Sequence, residues 1–428
     1  MRPLLAFIFY FSSFVSLRTQ ANDLFFSVNQ EVQSFYLTPH NSSPYFGRSE
    51  LLTKGELGFF ENVKFKLDTS TSATFMKKQD QQSFLFNPLQ LGLSLTSKYI
   101  EFFGGGFRIA GEGADLNNIF DVVNAADFRQ PFNPKAIGSY GALITVPFDA
   151  FTFKGFYIPR NEKSLLPDTQ SPWWPRTDAL PIRNSSGTFL VPDNMGYKLN
   201  SQTDYKDPFA NNYGATAKVS FSKIDFNFFY FKGVNQIPKI SPNFNIEVTS
   251  YDPLIGVITP PVEINLTWFR SEHVGMGSTL VLGDWITKVF CKTQKDFLPT
   301  VEKSTSCTGT IESSVALSSY SLRYFLQGNR VWRQDANSQE LETLLGFFEK
   351  STALGIYLDM NTKGLLSGAV IYNEKDPSSL VSMSYEYRFT DQLKSKLTAN
   401  VLTTSGSSPL GNAYDKTDNV SVALGYDF

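Results

Sequence analysis

The last nine residues of the chain, 420–428, alternate strictly between apolar side chains and small or polar ones. Because successive side chains of a β-strand point to opposite faces, one face would carry Val420, Val422, Leu424, Tyr426 and Phe428. The opposite face would carry Ser421, Ala423, Gly425 and Asp427. The pattern predicts a strand that separates an apolar from a polar environment and runs to the final residue.

The beginning of the chain has the features of a secretory signal. Arg2 precedes an apolar run at residues 4–15, which is too short to cross a bilayer as a helix, since a span needs roughly 20 apolar residues. Thr19, Gln20 and Ala21 then place small residues where a signal peptidase needs them. We expect residues 1–21 to be a cleaved signal and residues 22–428 to form one domain. A retained membrane anchor is the alternative.

Composition narrows the class of protein. Beyond residue 21 no apolar stretch has the length of a transmembrane helix, and the mean hydropathy is −0.17. A transmembrane barrel gives such an average, because its strands alternate lipid-facing and lumen-facing residues. Aromatic residues make up 15% of the chain and charged residues 18%, against about 25% charged in typical domains. This favours a barrel over a soluble enzyme, and the net charge of −2 gives no electrostatic footprint for nucleic acid.

The chain divides into strands joined alternately by short and long connections. In residues 63–75, for example, apolar side chains alternate with Lys64, Lys66 and Asp68. Short connections are expected near residues 61, 97, 148, 222, 271, 327, 361 and 390, and long ones at 111–138, 160–212 and 232–261. All the short ones then fall on one side of the membrane. The prediction is an all-β, antiparallel, up-and-down transmembrane barrel of about 18 strands, or 16 if one weak pair merges.

The central part of the chain carries four further strands, of which the last is weak. They are expected at residues 262–270, 274–290, 310–326 and 330–334. The first pair would meet at residues 271–273. The second pair would meet at residues 327–329, where Gly328 and Asn329 give a two-residue turn signal.

With its signal sequence, alternating strands, sorted loops and terminal Phe428, the chain resembles Gram-negative outer-membrane β-barrels of the porin-like kind over essentially all of residues 22–428. The resemblance implies an integral outer-membrane location, contact with outer-membrane lipid, and pairing of the last strand with the first. It also implies that barrel-assembly machinery recognises the last strand through Tyr426 and Phe428. A secreted β-sandwich or solenoid is the structural alternative, but its evenly spaced short strands or repeats are not seen.

Cysteine and histidine content limits the chemistry. After export, Cys291 and Cys307 are expected to form a disulfide that ties off one loop, since too few ligands lie nearby for a metal site. The predicted topology places His40 in the first outer loop and His273 in a periplasmic turn. Hydrolases of this kind pair a histidine base with a serine or with acidic residues. We therefore expect no enzyme and no cofactor, although paired carboxylates stay possible.

An aqueous lumen would be lined by the polar half of each strand. The expected pore-lining residues are Lys64, Lys66, Asp68, Lys154, Lys218, Asp225, Glu263, Arg323, Glu386, Arg388, Lys394 and Lys396. Eight are basic and four acidic, which predicts a weak preference for anionic or neutral polar solutes, because rings of charge bias a pore. The alternative is that they form cross-strand ion pairs, as the closeness of Glu386 and Arg388 suggests.

Residues 111–138 are the first candidate for filling such a wide barrel. We predict that they fold inward as a constriction and face the basic wall with their charged residues. Those constriction residues are Glu112, Asp115, Asp121, Asp127 and Arg129. An outward surface loop is the alternative.

Residues 160–212 are the second candidate and are long enough to act as a lid. In them Trp173 and Trp174 would either stack on a sugar or anchor the loop on the rim. Trp268, Trp285 and Trp332 fit better as interface-belt residues.

Two functions follow from these features. The first is an outer-membrane channel for passive or substrate-selective diffusion of small polar solutes. The second is a closed or plugged barrel whose long loops have a structural, adhesive or surface-binding role. A measurable pore separates them.

Overall fold

The computed structural model describes residues 24–35, 42–76, 84–109, 111, 113, 116, 118–160, 162–174, 179–181, 188–192, 195–203, 212–297, 302–333, 349–361, 363–375, 377–404, 414 and 416–428. The predicted signal peptide, His40, Glu112 and Asp115 lie outside these residues. Among the described residues, no helix is long and apolar enough to cross a membrane.

The strands are, in chain order, β1 (Phe25–Phe35), β2 (Tyr45–Phe60), β3 (Val63–Phe75), β4 (Phe84–Thr96), β5 (Glu101–Phe107), β6 (Ala125–Asp127), β7 (Lys135–Ile137), β8 (Ser139–Phe148), β9 (Phe151–Ile158), β10 (Ala179–Pro181), β11 (Thr188–Leu190), β12 (Tyr197–Thr203), β13 (Asn212–Ser220), β14 (Ile224–Val234), β15 (Lys239–Tyr251), β16 (Leu254–Trp268), β17 (Arg270–Leu282), β18 (Trp285–Phe297), β19 (Glu302–Leu317), β20 (Tyr320–Arg333), β21 (Lys350–Asp359), β22 (Gly364–Asn373), β23 (Ser378–Arg388), β24 (Leu393–Thr404) and β25 (Asn419–Asp427).

A closed antiparallel barrel of 18 strands forms the body of the molecule. Its strands follow the chain, omitting only β6, β7, β10–β12, β15 and β16. The barrel closes where β25 pairs with β1, with Val28 opposite Tyr426 and Val32 opposite Val422. Closure removes every free strand edge, which a strand structure needs in lipid. The predicted all-β barrel, its strand number and the pairing of the last strand with the first are confirmed.

The two faces of the barrel wall differ as the alternation predicts. In β25, Val420, Val422 and Leu424 are about half exposed on the outside, whereas Ser421 and Ala423 are buried on the inside. At the edge with short turns, exposed aromatic side chains ring the exterior, among them Phe59, Phe148, Trp285, Tyr320, Phe389 and Phe428. Such a girdle is typical of the membrane interface of a barrel. The role of Tyr426 and Phe428 in assembly stays a prediction.

The short turns were predicted correctly except in the middle of the chain. β17 runs straight through residues 271–273, and the turn to β18 lies at Gly283 and Asp284 instead. Likewise β20 runs through residues 327–329, and the turn before it lies at Ser318 and Ser319. Both true turns use a left-handed backbone, at Gly283 (φ 60°) and Ser318 (φ 53°). The predicted turns at 271 and 327 were therefore wrong, and His273 lies in the barrel wall.

Residues 262–270 were also wrongly predicted as a barrel strand. Residues 262–268 belong to β16, which pairs antiparallel with β15 and parallel with β11 and β12. We call β10, β11, β12, β15 and β16 the cap sheet, since it is built from the long connections at the outer end. Trp268 is accordingly buried against Val234 and is not an interface-belt residue, whereas Trp285 and Trp332 are half exposed.

The disulfide between Cys291 and Cys307 lies in the barrel wall itself. The two residues are directly opposite in β18 and β19, with their Cα atoms 4.1 Å apart. Cys291 is also opposite the exposed Met276 of β17, so the disulfide is on the lipid-facing side. It joins a hairpin within the membrane wall and does not tie off an outer loop.

Candidate functional site

The connection between β5 and β8, residues 108–138, enters the barrel; we call it the inner loop. The ring of Phe120 stacks on Phe229 of β14 with centroids 5.3 Å apart. It also meets the edge of Phe290 of β18 at 5.4 Å. Gly275 of β17 makes room for this ring, because a Cβ there would lie 2.4 Å from Phe120. One side of the loop is thus packed on the inner wall of β14, β17 and β18.

A charged cluster holds the inner loop against the opposite part of the wall. Asp127 accepts two hydrogen bonds of 2.8 Å from the guanidinium of Arg129 and lies 3.2 Å from Arg48 of β2. Although burial alone would raise it, the hydrogen bonds and charges of Arg129 and Arg48 hold the pKa of Asp127 below its ordinary value. Lys135 adds a second ion pair, 2.6 Å from Glu50 of β2.

The inner loop also reaches the wall formed by β20 to β24. The backbone N–H of Leu116 donates to Oε1 of Gln327 in β20 at 3.2 Å. Leu116 and Phe132 pack against an apolar cluster of the wall and the last outer connection, made of Ala353, Ile371, Leu380, Leu402 and Tyr414. We call these seven residues the apolar gate. Since the loop contacts strands on all sides, it crosses the lumen.

Asp121 occupies a different environment from Asp127 within the same loop. Burial raises the pKa of its carboxyl above the ordinary value, while a hydrogen bond from Asn124 Nδ2 at 2.9 Å and the charges of Arg108 and Lys292 oppose the rise. Asn124 in turn ties the loop to Ile109, donating to its carbonyl at 2.6 Å. Burial therefore disfavours the charged form of Asp121, whereas the neighbouring arginines stabilise the charged form of Asp127.

The paired tryptophans are structural. Trp173 is 1% exposed and lies between the rings of Phe35 and Phe132, with each centroid 5.3 Å away. Its Nε1 donates to Gln33 of β1 at 3.2 Å. Trp174 is buried in the core of the cap sheet. The sugar-stacking alternative is wrong, because neither ring face is free, and the anchoring alternative describes both.

Half of the twelve predicted lumen charges form ion pairs with neighbours on adjacent strands. The pairs are Lys64–Glu56 at 2.6 Å, Lys66–Glu101 at 2.8 Å, Lys218–Asp225 at 3.0 Å, Arg323–Glu312 at 2.5 Å and Lys394–Asp427 at 3.4 Å. The strand pairing also places five other predicted residues on the lumen side, namely Asp68, Lys154, Glu386, Arg388 and Lys396. Glu263 does not: it lies in the cap sheet beside Lys198, so its assignment to the pore was wrong.

Known structures have the same fold. No protein-family model and no curated protein matches the sequence. OccK3 (OpdO) of Pseudomonas aeruginosa aligns with 97% of this chain and 98% of its own, with 12% identity and a TM-score of 0.50. The fold is that of an outer-membrane porin. The chain is accordingly an integral barrel of the bacterial outer membrane.

Two further porins show the same likeness. OccK11 (OpdR) of Pseudomonas aeruginosa aligns with 95% of each chain at 9% identity and a TM-score of 0.50. OccAB4 of Acinetobacter baumannii aligns with 96% of this chain and 98% of its own, at 8% identity and a TM-score of 0.50. At these identities the likeness concerns the fold, and the role of each residue must come from this chain.

Ser271 and His273, which were predicted to lie in a turn, are neighbours in the barrel wall. Ser271 Oγ and His273 Nε2 are 2.7 Å apart in β17. Both side chains are buried, and the ring of His273 lies against Phe231. Within the described chain, Nδ1 of His273 has no hydrogen-bond partner. A nucleophile and its base need access for a substrate and a group that orients the base, and this pair has neither.

Sequence reasoning missed several lumen residues. Arg48 and Glu50 of β2 face inward and were not among the predicted lumen residues. Lys288 and Glu312, which are 3.0 Å apart, were missed because the central turns were placed wrongly. A strand read from residue 285 would have placed Lys288 and Lys292 on the inner face. Among the described residues, no group of three or more His, Cys, Asp and Glu side chains could hold a metal.

Proposed function

We propose that the protein is a channel for small polar solutes and has no catalytic role. The observation that carries the proposal is the solvent-accessible inner wall of β22, β23 and β24. Above Glu386, Arg388, Lys394 and Lys396, which lie near the short turns, its lumen-facing side chains include partly exposed neutral hydroxyls and amides, namely Ser367, Ser382, Ser384, Thr398 and Asn400. On the neighbouring β25, by contrast, Ser421 and Ala423 are buried. A polar solute could exchange hydrogen bonds with this wall.

The proposed path narrows at the apolar gate. On β22, Ile371 lies nearer the outer end than Ser367, and on β24 Leu402 lies nearer that end than Thr398. Above the hydroxyl wall, Leu116 and Phe132 of the inner loop close against these apolar residues. Hydrophobic constrictions gate by excluding water. A small movement of the inner loop away from the apolar gate would let water reach the whole inner wall of β22, β23 and β24.

We propose that the channel discriminates weakly between ions of opposite charge and slightly prefers anions. The paired lysines contribute little net field, because their carboxylates lie on the adjacent strands. Within the described residues, Lys154, Arg388 and Lys396 have no carboxylate within 4 Å. They outnumber Asp68 and Glu386, the predicted lumen carboxylates that have no cation within 4 Å among the described residues, by one positive charge.

The test is single-channel conductance of refolded protein in planar bilayers, with ion selectivity from a salt gradient. We expect stepwise openings and a reversal potential slightly on the anion side. Changing Phe132→Ala should raise the open-state conductance by removing one wall of the apolar gate, whereas Phe75→Ala, which is exposed on the lipid-facing side, should leave it unchanged. Absence of conductance from protein shown to be folded would overturn the channel proposal.

A closed barrel with a surface role is the second candidate. It is favoured by the dense packing of the inner loop against β14, β18 and β21 to β24 and by the cap sheet, whose tip residue Tyr251 is 84% exposed. In that case Phe132→Ala would leave the protein silent in the bilayer, and deletion of the tip, residues 251–254, would abolish binding to a surface. Only the first candidate predicts a current.

A further inference from the structure

One row of charged side chains crosses four strands at the outer rim and faces away from the lumen. In register, Lys232 of β14 lies opposite Glu272 of β17, Glu272 opposite Lys295 of β18, and Lys295 opposite Lys303 of β19. Two residues further down β17, Val274 is exposed on the outside. The period of two therefore places the whole row on the outside. We call Lys232, Lys295 and Lys303 the lysine row.

The lysine row lies at the upper boundary of the apolar band. The outward-facing side chains of β17 below Glu272 are Val274, Met276, Ser278, Leu280 and Leu282. Eight residues at a rise of about 3.3 Å and a tilt of about 40° span roughly 20 Å of height, close to the apolar band of about 25 Å of such barrels. The next side chains upward meet the headgroups of the outer leaflet.

The lysine row carries three positive charges, and Glu272, which lies in register between Lys232 and Lys295, offsets only one of them. In the part of the chain that the structure describes, no carboxylate lies within 4 Å of any of the three lysines. Glu272 instead accepts a hydrogen bond from the hydroxyl of Tyr230 at 3.0 Å. The ammonium groups of Lys232 and Lys295 lie 5.6 Å and 5.1 Å from the ring of Phe297, which holds them side by side.

Arg330 is a basic side chain of the same rim that does have an internal partner. Arg330, opposite Cys307 and therefore also facing outward, makes two bonds of 2.8 Å and 3.0 Å to the carboxylate of Glu374. Its charge is satisfied without a ligand. The lysine row differs in that three cations stand together with one carboxylate already engaged by a tyrosine.

We propose that the lysine row binds the headgroup of a phosphate-bearing lipid in the outer leaflet. The phosphates would accept from the three ammonium groups, and the acyl chains would lie over Val274, Met276 and Val289, which are 57%, 60% and 48% exposed. Cations above an apolar ledge match a lipid that has anionic phosphates above hydrocarbon chains. A free phosphate ion would use only the cations and leave the ledge unused.

The test compares three probes on refolded full-length protein in a neutral detergent: a synthetic lipid with two phosphates, phosphatidylcholine, and inorganic phosphate. Binding is followed by native mass spectrometry and by the rise in unfolding temperature. Combined replacement of Lys232→Gln, Lys295→Gln and Lys303→Gln should weaken the diphosphorylated lipid on the order of 100-fold, since each lysine near an anionic surface contributes about fivefold. Replacement of the three by arginine should retain binding.

The matched control removes the same charge from the opposite rim. Lys98, Lys223 and Lys363 are exposed in the short periplasmic turns, and their joint change to glutamine should leave lipid affinity within a few fold. Equal affinity of the wild type and the lysine-row variant would overturn the proposal. Competition by inorganic phosphate at the concentration of the lipid would overturn it too, because the site would then take a free anion.

Discussion

Removal of the Asp127 carboxylate is the sharpest test of how the inner loop is held. In Asp127→Ala the guanidinium of Arg129 loses two hydrogen bonds of 2.8 Å and Arg48 loses a contact of 3.2 Å. The side chains of Arg48 and Arg129 are only 4% and 7% exposed, so water cannot replace the carboxylate while the loop stays seated. Release of the loop is the way to solvate Arg129.

The size of the effect follows from burial. Breaking a buried ion pair by removing one partner costs about 3–5 kcal/mol. If this free energy shifts the equilibrium between the seated and the released loop, the released population rises about a hundredfold to several thousandfold. Each 1.4 kcal/mol changes an equilibrium constant about tenfold. The packing of Phe120 and the Lys135–Glu50 pair at 2.6 Å remain, so the barrel itself should keep its unfolding temperature.

Trypsin cleavage measures the release directly, because the inner loop contains three of its sites, Arg108, Arg129 and Lys135. Arg129 is buried in the seated state. We expect Asp127→Ala to be cut after Arg129 at least tenfold faster than the wild type, as followed by mass spectrometry of the fragments. Asp225→Ala is the matched control, since it removes the half-exposed partner of Lys218 at 3.0 Å and leaves the inner loop untouched.

Equal cleavage rates for Asp127→Ala and the wild type would refute the reasoning. They would show that the apolar contacts alone hold the loop and that the buried charges contribute nothing to its position. Faster cleavage in the Asp225→Ala control as well would point to general loosening of the barrel.

The remaining predictions concern pH, close packing and the disulfide. Because the pKa of Asp127 is lowered, its contribution to holding the inner loop in place is present above about pH 4 and is lost below it. The pKa of Asp121 is raised, so acidification favours the seated loop with Asp121 neutral. Open probability in bilayers should therefore be equal or lower at pH 5 than at pH 7 and should rise only below about pH 4. Gly92→Ala should lower the free energy of unfolding by about 1–3 kcal/mol, because its Cβ would lie 2.2 Å from the carbonyl oxygen of Gly104, whereas Gly58→Ala meets nothing within 4 Å and should be neutral in the same urea titration. Replacing Cys291 and Cys307 by serine should cost about 2–4 kcal/mol in that titration and leave conductance unchanged, since the disulfide faces lipid; a changed conductance would contradict this placement.

The two wrongly predicted central turns show that local sequence signals do not by themselves fix the position of a turn. Gly328 and Asn329 have turn chemistry, yet both lie inside β20, where Asn329 donates to Ser351 at 3.0 Å and Gly328 faces outward. The real turn at Ser318 has no glycine, although its φ is 53°. A turn in a barrel is set by where both flanking strands leave the membrane, and that depends on neighbours that the local sequence does not name.

The barrel class was determined by the sequence alone, because each crossing repeats an alternation with a period of two that distinguishes lipid from lumen locally. The expected number of about 18 strands was right, although the bounds of the four central strands were not. The inner loop and the cap sheet depended on the tertiary structure. Asp127 lies beside Arg48, and β11 lies parallel to β16, only because the closed wall brings distant segments together. Such contacts leave no periodic trace in the chain, so the partners of the buried charges that hold the inner loop could not be assigned until the wall was complete.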